Sequence, residues 1–327
     1  MKLARPAHIR GRNKEQPNYM FTLKRFPLWL FTVLSLTVLG MSGASAQWPN
    51  SQPLSPSAGS SLDTKNAKIV ADETDGFHVV YLRAGGVIYR RYKTGVLGPE
   101  VMVQSNVFCA NPNLALSGSG AVHVVWENWN DDTPHFGWAV STNDGVSFSA
   151  PQILADNRTN VKWPLIVPFG AADGAEMVTA FYCTGKDGGD NGLYFQRYNG
   201  STWTATAGIG ASVPGNEYVV TGLTRSQQDG SVYRTYGNND VVYYKRYNGI
   251  SWSAGVQVPS AGTGFLAWPK IAVNSAGRIM VMWDRAGTYY NVYDPVSGWG
   301  TPTYLSSTGG VGGLTAIPST LALKEWP

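Results

Sequence analysis

The chain reads Gly120-Ala-Val-His-Val-Val-Trp126 in one place and Gly277-Arg-Ile-Met-Val-Met-Trp283 in another. Each segment is a glycine followed by β-forming residues that end in an aromatic side chain. Gly76–Tyr81 and Gly230–Tyr236 repeat the pattern, and a looser copy runs over 174–181. The final aromatic residues of successive copies lie 45, 55, 55 and 47 residues apart. Self-similarity at this spacing is typical of a fold built from repeated structural units.

A second motif follows each of these strands and predicts a hairpin. It reads Val242-Tyr-Tyr-Lys-Arg-Tyr-Asn-Gly-Ile-Ser-Trp252, with relatives at 193–203 and 289–299. Asn-Gly between apolar runs favours a tight hairpin, because both residues tolerate positive φ angles. A third element, such as Pro269–Val273, precedes each unit and supplies an inner strand. Each repeat therefore predicts four strands.

Four strands every 45–55 residues predict an all-β fold, a β-propeller of four-stranded antiparallel blades. A β-sandwich would show turns every 8–12 residues without this longer recurrence. Five repeats are complete: 66–105, 109–156, 162–212, 216–260 and 265–306.

The two ends suggest a partial sixth repeat. Ala316–Leu323 resembles an inner strand, and Gln47–Leu54 resembles an outer one. Two interpretations stay open: a five-bladed ring closed by a terminal clasp, or a six-bladed protein that is truncated.

Residues 1–46 are predicted to be a secretory signal peptide. Lys24-Arg25 precedes an uncharged apolar run over 26–41, and Ser42–Ala46 ends in an A-x-A cleavage pattern. The alternative is a membrane anchor, but 16 residues are short for a membrane span. Met20 is an alternative start. We expect a single domain over 47–327 without a membrane span, either secreted or in the periplasm or cell envelope.

The charge balance excludes a nucleic-acid binder. The whole chain has 25 basic and 21 acidic residues, a net charge of +4. Residues 1–46 contain seven of the basic residues and one of the acidic ones, so the remaining chain has 18 and 20, a net charge of −2. A nucleic-acid binder needs a basic stripe on its folded part.

The segment Ser141-Thr-Asn-Asp-Gly-Val-Ser-Phe148 resembles the Asp-box of sialidase-like β-propellers, also known as the BNR repeat. Ser141, Gly145, Ser147 and Phe148 match the motif, while Asn143 stands where the family has aspartate. In the hairpin, a polar side chain caps the turn, the glycine takes a positive φ and the aromatic ring anchors it in the blade.

The resemblance implies that this protein, which the leader predicts to be exported, binds or processes carbohydrate on the face opposite its Asp-box turns. If the protein is an enzyme, the resemblance implies a glycoside hydrolase or lyase. The family's Arg-Ile-Pro signature is absent after residue 46, which argues against a true sialidase. The alternative is a non-catalytic scaffold for protein interactions in the envelope or outside the cell.

Charged residues just past the aromatic residue of each second strand are predicted to face the ligand. Glu127 and Asp284 are the candidate catalytic acids. Arg83 and Arg285 begin two Arg-Ala-Gly copies and offer guanidinium groups to a carboxylate or a polyol. A structural alternative is that the acids are solvated or form salt bridges, and that each arginine pairs with an acid of a neighbouring blade or caps loop carbonyls.

Four aromatic residues outside the strand repeats are candidate ligand contacts: Trp129, His135, Trp163 and Trp268. Indole faces stack on sugar rings, but they also wedge sheets together. His78 and His123 occupy one repeat position, where another copy has Met280, so we expect both in the core.

No metal-binding spacing, glycine-rich phosphate loop or nucleophile motif is present, so no cofactor and no metal is predicted. Cys109 and Cys183 are placed on the same face of neighbouring repeats. In an exported protein this placement predicts a disulfide between them.

Overall fold

The computed structural model describes residues 65–306, except 73–75, 85, 106–107, 129–134, 155–159, 184–191, 213–221, 239 and 262–265. In this part of the chain all regular structure is β, and no helix is found. The strands form five antiparallel sheets, each built from consecutive strands. The predicted signal peptide and the partial sixth repeat lie outside the described residues.

The first two sheets contain nine strands. The first sheet has β1 (Lys65–Ala71), β2 (Phe77–Arg83), β3 (Gly86–Lys93), β4 (Val96–Leu97) and β5 (Val101–Gln104). The second has β6 (Cys109–Leu116), β7 (Val122–Asn128), β8 (His135–Ser141) and β9 (Gln152–Leu154). In the first sheet β4 and β5 both pair with β3, so together they form its outer strand.

The other three sheets repeat the order. The third has β10 (Val161–Pro168), β11 (Met177–Cys183), β12 (Gly192–Tyr198) and β13 (Ala207–Ser212). The fourth has β14 (Leu223–Arg225), β15 (Val232–Asn238), β16 (Val241–Tyr247) and β17 (Val256–Gln257). The fifth has β18 (Ala267–Val273), β19 (Ile279–Asp284), β20 (Thr288–Asp294), β21 (Gly298–Trp299) and β22 (Thr303–Ser306).

Successive sheets pack through their first strands. β1 packs on β6, β6 on β10, β10 on β14 and β14 on β18. The first strand of each sheet is therefore the inner one, as the sequence predicts. The five predicted repeats coincide with the five sheets of the described residues.

The repeated aromatic residues form the core between neighbouring sheets. Trp126 packs among residues of the first and second sheets, and Trp283 among residues of the fourth and fifth. Each is at most 1 % exposed. Burying a side chain of this size stabilises the fold by about 2–3 kcal/mol. The aromatic residue that ends each glycine–strand–aromatic repeat therefore marks where one sheet packs on the next.

Candidate functional site

Four inner strands share an unusual backbone conformation near their start. Asn66, Asn111, Trp163 and Trp268 occupy equivalent positions at the start of four inner strands, and their φ angles are +54°, +45°, +51° and +47°. At each of them the pairing with the second strand shifts register, which marks a β-bulge. A non-glycine residue in this left-handed region costs of the order of 1–3 kcal/mol.

We call these four residues the axial bulges. They lie at the edge of each sheet where the second strand ends and the third begins, the bulge face. The opposite edge, the hairpin face, contains the other turns and the Ser141–Phe148 hairpin. Bulges commonly redirect a side chain next to a binding site, so their recurrence makes the bulge face the candidate site.

A chain of hydrogen bonds connects three of the axial bulges through Glu127. The Asn66 side-chain amide donates to Asn111 Oδ1 at 3.3 Å. Asn111 Nδ2 donates to Glu127 Oε1 at 2.7 Å, and the Trp163 backbone N–H donates to the same oxygen at 2.5 Å. Glu127 is only 2 % exposed, and its carboxylate joins the second and third sheets directly, while Asn66 links the first sheet to it through Asn111.

The two predicted catalytic acids lie apart in the sheet order. Glu127 belongs to the second sheet, where it fixes the bulges. Asp284 belongs to the fifth sheet, where it is 6 % exposed and accepts a hydrogen bond of 2.8 Å from Thr288 Oγ1. Each acid thus has a structural partner, and their catalytic role stays a prediction.

The two predicted ligand-binding arginines are engaged within the protein. Arg83 forms an ion pair of 2.5 Å with Glu100, which also accepts a hydrogen bond from the Tyr81 hydroxyl. Arg285 is buried and donates to the backbone carbonyl of Asp240 in the neighbouring sheet. The Arg285 contact fits the structural alternative of the sequence analysis, whereas Arg83 pairs with an acid beside its own sheet. That the two arginines bind ligand stays a prediction.

The four predicted aromatic contacts differ in exposure. Trp268 is 40 % exposed at its axial bulge. Trp163 is half-buried and stacks on Tyr182 with ring centres 6.0 Å apart. His135 is half-buried at the first position of β8, and Trp129 lies outside the described residues. Trp268 is therefore the described candidate with the most accessible ring.

The sequence analysis missed Asn66 and Asn111 as site residues. Proline follows three of the axial bulges, as Pro112, Pro164 and Pro269. This recurring X-Pro pair at the start of the inner strand was a signal that could have located Asn111, but not Asn66, which is followed by Ala67. The left-handed φ itself could not be predicted, because the residue before proline normally favours extended backbone.

No protein-family model matches the chain, and no curated protein matches it by sequence. Solved structures match it by fold. A protein of unknown function from Dyadobacter fermentans is 12 % identical, with a TM-score of 0.54, and the match covers 76 % of this chain and 84 % of that one. The NanB sialidase of Streptococcus pneumoniae is 9 % identical, with a TM-score of 0.53 over 76 % of this chain and 62 % of the sialidase.

A third similar structure is the leech intramolecular trans-sialidase in complex with 2,7-anhydro-Neu5Ac. It is 8 % identical, with a TM-score of 0.51 over 75 % of this chain and 60 % of that one. The chain thus spans less than two thirds of either sialidase. At these identities the comparisons bear on architecture alone. The fold is a β-propeller, and its sheets are blades.

The hairpin over Ser141–Phe148 is closed by its own side chains. Ser141 Oγ accepts a hydrogen bond of 2.9 Å from Gly145 N, and Asn143 Oδ1 accepts one of 3.0 Å from Ser147 N. Phe148 packs edge-on against Tyr89 of the first blade, with ring centres 5.1 Å apart. The hairpin therefore fastens the second blade to the first.

The structure does not contain the predicted disulfide: Cys109 and Cys183 are both buried and are not bonded to each other. Cys109 packs between the first and second blades, whereas Cys183 packs between the second and third. The second blade separates the two thiols. Burial raises the pKa of Cys109 to about 11, so this thiol is poorly reactive at neutral pH.

Arg234 is a buried cation that the sequence analysis did not single out. It is 1 % exposed between the third and fourth blades, where it donates a hydrogen bond of 3.3 Å to the Tyr194 carbonyl. Its Nε has no hydrogen-bond partner in the described residues. Burial lowers its pKa to about 9, partly offset by Cys183. In the sequence, Arg234 was recognisable only as one residue of the Gly230–Tyr236 strand motif.

The described part of the chain contains neither a cluster of metal-binding side chains nor a helix that could span a membrane. No cluster of three or more His, Cys, Asp or Glu side chains there could hold a metal ion. None of those residues forms a helix long and apolar enough to cross a bilayer.

Proposed function

We propose that this protein is exported and binds carbohydrate at the axial bulges of its propeller. The observation that carries the proposal is Trp268, a 40 % exposed indole held in a left-handed bulge on an inner strand. An exposed, rigid aromatic face stacks on the apolar face of a sugar ring. Keeping such a residue in strained backbone is costly, which points to a role in function.

The neighbouring polar groups suit the same ligand. Asn66 and Asn111 occupy equivalent bulges, and amide side chains offer both donors and acceptors to hydroxyl groups. Glu127 holds Asn111 and Trp163 in place from behind, as a buried group that supports a site. A fold shared with two sialidases supports this choice only as an analogy of architecture.

The geometry favours binding over hydrolysis. A glycosidase needs two carboxyl groups about 5–9.5 Å apart across the scissile bond. Glu127 and Asp284 lie in blades two and five and are both nearly fully buried. The hairpin at Ser141–Phe148 is proposed to be an Asp-box variant with asparagine at its third position, and residues 1–46 a cleaved export signal.

A glycan array tests the proposal. Wild-type protein is expected to bind a defined set of saccharides, and Trp268→Ala is expected to lose at least about 90 % of that signal, because the stacking surface is removed. Ile250→Ala is the matched control, since Ile250 is an exposed apolar residue on the hairpin face. A blank array for wild type, or equal signals for wild type and Trp268→Ala, would contradict the proposal.

A protein-interaction scaffold is the second candidate. The hairpin tips favour it, because Val146, Ile250 and Val296 are 73 %, 89 % and 96 % exposed. Its test is a pull-down with the wild type and with the Val146→Ser/Ile250→Ser/Val296→Ser variant. A partner that the triple variant loses, and that saccharides do not displace, would favour this candidate; identical pull-downs would remove it.

A further inference from the structure

A cleft opens on the hairpin face between the third and fourth blades, away from the axial bulges. Its volume is about 530 Å³. One wall is the turn over 169–172 in the third blade, and the other is the turn over 225–231 in the fourth blade, with Asn248 of that blade's hairpin beside it. Small-molecule sites typically measure about 300–1,000 Å³, so the cleft has the size of a binding site.

Arg225 spans the cleft from the fourth blade to the third. Its Nη2 donates a hydrogen bond of 2.7 Å to the Gly170 carbonyl. The two turns approach each other closely at this point, because a Cβ atom on Gly230 would clash with the same carbonyl oxygen. The guanidinium is therefore held in one place by the protein itself, which reduces the entropy that a ligand has to pay when it binds.

The bond to Gly170 leaves most of the Arg225 guanidinium unsatisfied. A guanidinium has five N–H donors. Within the described residues, Nη1 makes no hydrogen bond, Nε is buried without one, and no carboxylate forms an ion pair with Arg225. Burial lowers the pKa of Arg225, and the charge of Asp229 offsets this only in part. A half-buried cation in this state carries a desolvation cost that a bound anion would reduce.

The acids around the cleft are already paired with other arginines. Asp229 forms an ion pair of 2.5 Å with Arg246, and Glu176 in the third blade forms one of 2.6 Å with Arg197. Together with Arg225 these groups comprise three arginines and two carboxylates, so their net charge is +1. The excess positive charge belongs to Arg225, which favours a ligand with one negative charge.

Asn248 adds an uncharged donor. Its Oδ1 accepts hydrogen bonds of 2.9 and 3.0 Å from the backbone N–H groups of Ile250 and Ser251. This fixes the amide and leaves Nδ2, which makes no hydrogen bond in the described residues, for a ligand. Gln228 lies against Gly277 of the fifth blade and is not counted among the ligand groups. The amide nitrogen and the guanidinium both donate hydrogen bonds, so both suit an acceptor.

We propose that this cleft is a second ligand site, which binds a small organic monocarboxylate. The carboxylate accepts hydrogen bonds from the Arg225 guanidinium in a forked pair, and Asn248 Nδ2 is a further donor. The cleft is separate from the site under Proposed function, and neither requires the other. A free organic acid and a sugar acid carry the same carboxylate, and the probes below distinguish these two sources.

Isothermal titration with matched charged and uncharged probes tests the proposal. Lactate and benzoate are the free acids, glucuronate is the sugar acid, and lactamide, benzamide and glucose are their uncharged counterparts. We expect at least one carboxylate to bind with a 1:1 stoichiometry, and its uncharged counterpart to bind at least about tenfold more weakly, because the charge-assisted pair is lost. Binding of lactate or benzoate assigns the site to free acids, and binding of glucuronate alone assigns it to sugar acids.

Variants of Arg225 locate the binding. Arg225→Gln should weaken the carboxylate at least about tenfold, and Arg225→Lys, which keeps the charge but not the fork, about three- to tenfold. Arg90→Gln is the matched control and should leave the affinity unchanged. Arg90 also donates to a backbone carbonyl, that of Gly98, but it lies in the first blade.

Three results would overturn the proposal: no heat from any carboxylate, equal affinity for an acid and its uncharged counterpart, or equal affinity in wild type and both Arg225 variants. If Arg225→Gln does not fold, the lysine variant and the comparison of charged with uncharged probes decide. Loss of the carboxylate in Trp268→Ala but not in Arg225→Gln would also overturn it. Failure of the axial site leaves a different trace, because the cleft then still binds its carboxylate while Trp268→Ala changes no saccharide signal.

Discussion

The Glu127 carboxylate accepts a hydrogen bond of 2.5 Å from the backbone N–H of Trp163, one blade further along the chain. The same oxygen accepts a hydrogen bond from Asn111, so one buried side chain holds two strained bulges in two blades. Under the proposal, Glu127 is a positioning residue for the sugar site, whereas its place just past the aromatic Trp126 led the sequence analysis to predict a catalytic acid.

Removing this carboxylate should cost stability. Glu127→Ala leaves the half-buried Trp163 N–H and Asn111 amide without their acceptor, and we expect the free energy of unfolding to fall by about 1–3 kcal/mol. Glu127→Gln keeps one carbonyl oxygen and should lose less. Urea unfolding of the three proteins measures the difference, and an alanine variant as stable as wild type would show that the network is dispensable.

The sequence predicted the architecture better than the site. The glycine–strand–aromatic repeat is a local sequence pattern, and its final aromatic residue packs between blades. Trp126 and Trp283 are both buried in this way. The network of Asn66, Asn111 and Glu127 joins residues 16 to 61 positions apart through side-chain geometry, which no local pattern records. His78 and His123 were expected in the core from one repeat comparison, and they are 2 % and 1 % exposed.

The tight turn of the Ser141–Phe148 hairpin should tolerate no side chain at Gly145. Its φ is +80°, and a Cβ atom would lie 2.2 Å from the Tyr89 ring. We expect Gly145→Ala to lower the free energy of unfolding by about 2–4 kcal/mol through strain and overpacking. Gly298→Ala is the control for backbone strain, because Gly298 also has a φ of +80° but nothing within 4 Å of its Cβ position. Equal losses in thermal or urea unfolding would refute the packing argument.

The buried histidines should make the fold sensitive to acid. Burial lowers the pKa of His123 to about 4 from an ordinary value of 6.5. Between these two pH values the unfolded chain binds a proton at His123 and the folded chain does not. The free energy of unfolding therefore falls as the pH drops from about 6.5 towards 4. At pH 4.5 His123 should account for a loss of about 2–3 kcal/mol relative to pH 7.

His123→Phe isolates this effect, because phenylalanine can stay among the aromatic neighbours Trp138 and Tyr198. Urea unfolding of both proteins at pH 7 and at pH 4.5 gives the two differences. The variant should lose less stability between these pH values than wild type does. If wild type and His123→Phe lose the same stability between pH 7 and pH 4.5, His123 is protonated in the folded state as readily as in the unfolded one.

Replacing Arg234 should not weaken the fold. Equivalent positions in the second and fifth blades hold Val124 and Val281, which are fully buried. Because a buried charge without a carboxylate partner carries a desolvation cost, we expect Arg234→Met to change the free energy of unfolding by about 0 to +3 kcal/mol. Calorimetric melting measures it. A loss above about 2 kcal/mol would instead reveal a tightly bound counter-charge.

A crystal structure of the protein with a saccharide selected on the glycan array tests the central claim most directly. The account predicts a sugar ring lying against the Trp268 indole on the bulge face, with its hydroxyl groups towards Asn66 or Asn111. A saccharide bound only at the outer edges of the blades, with the axial bulges left unoccupied, would contradict it.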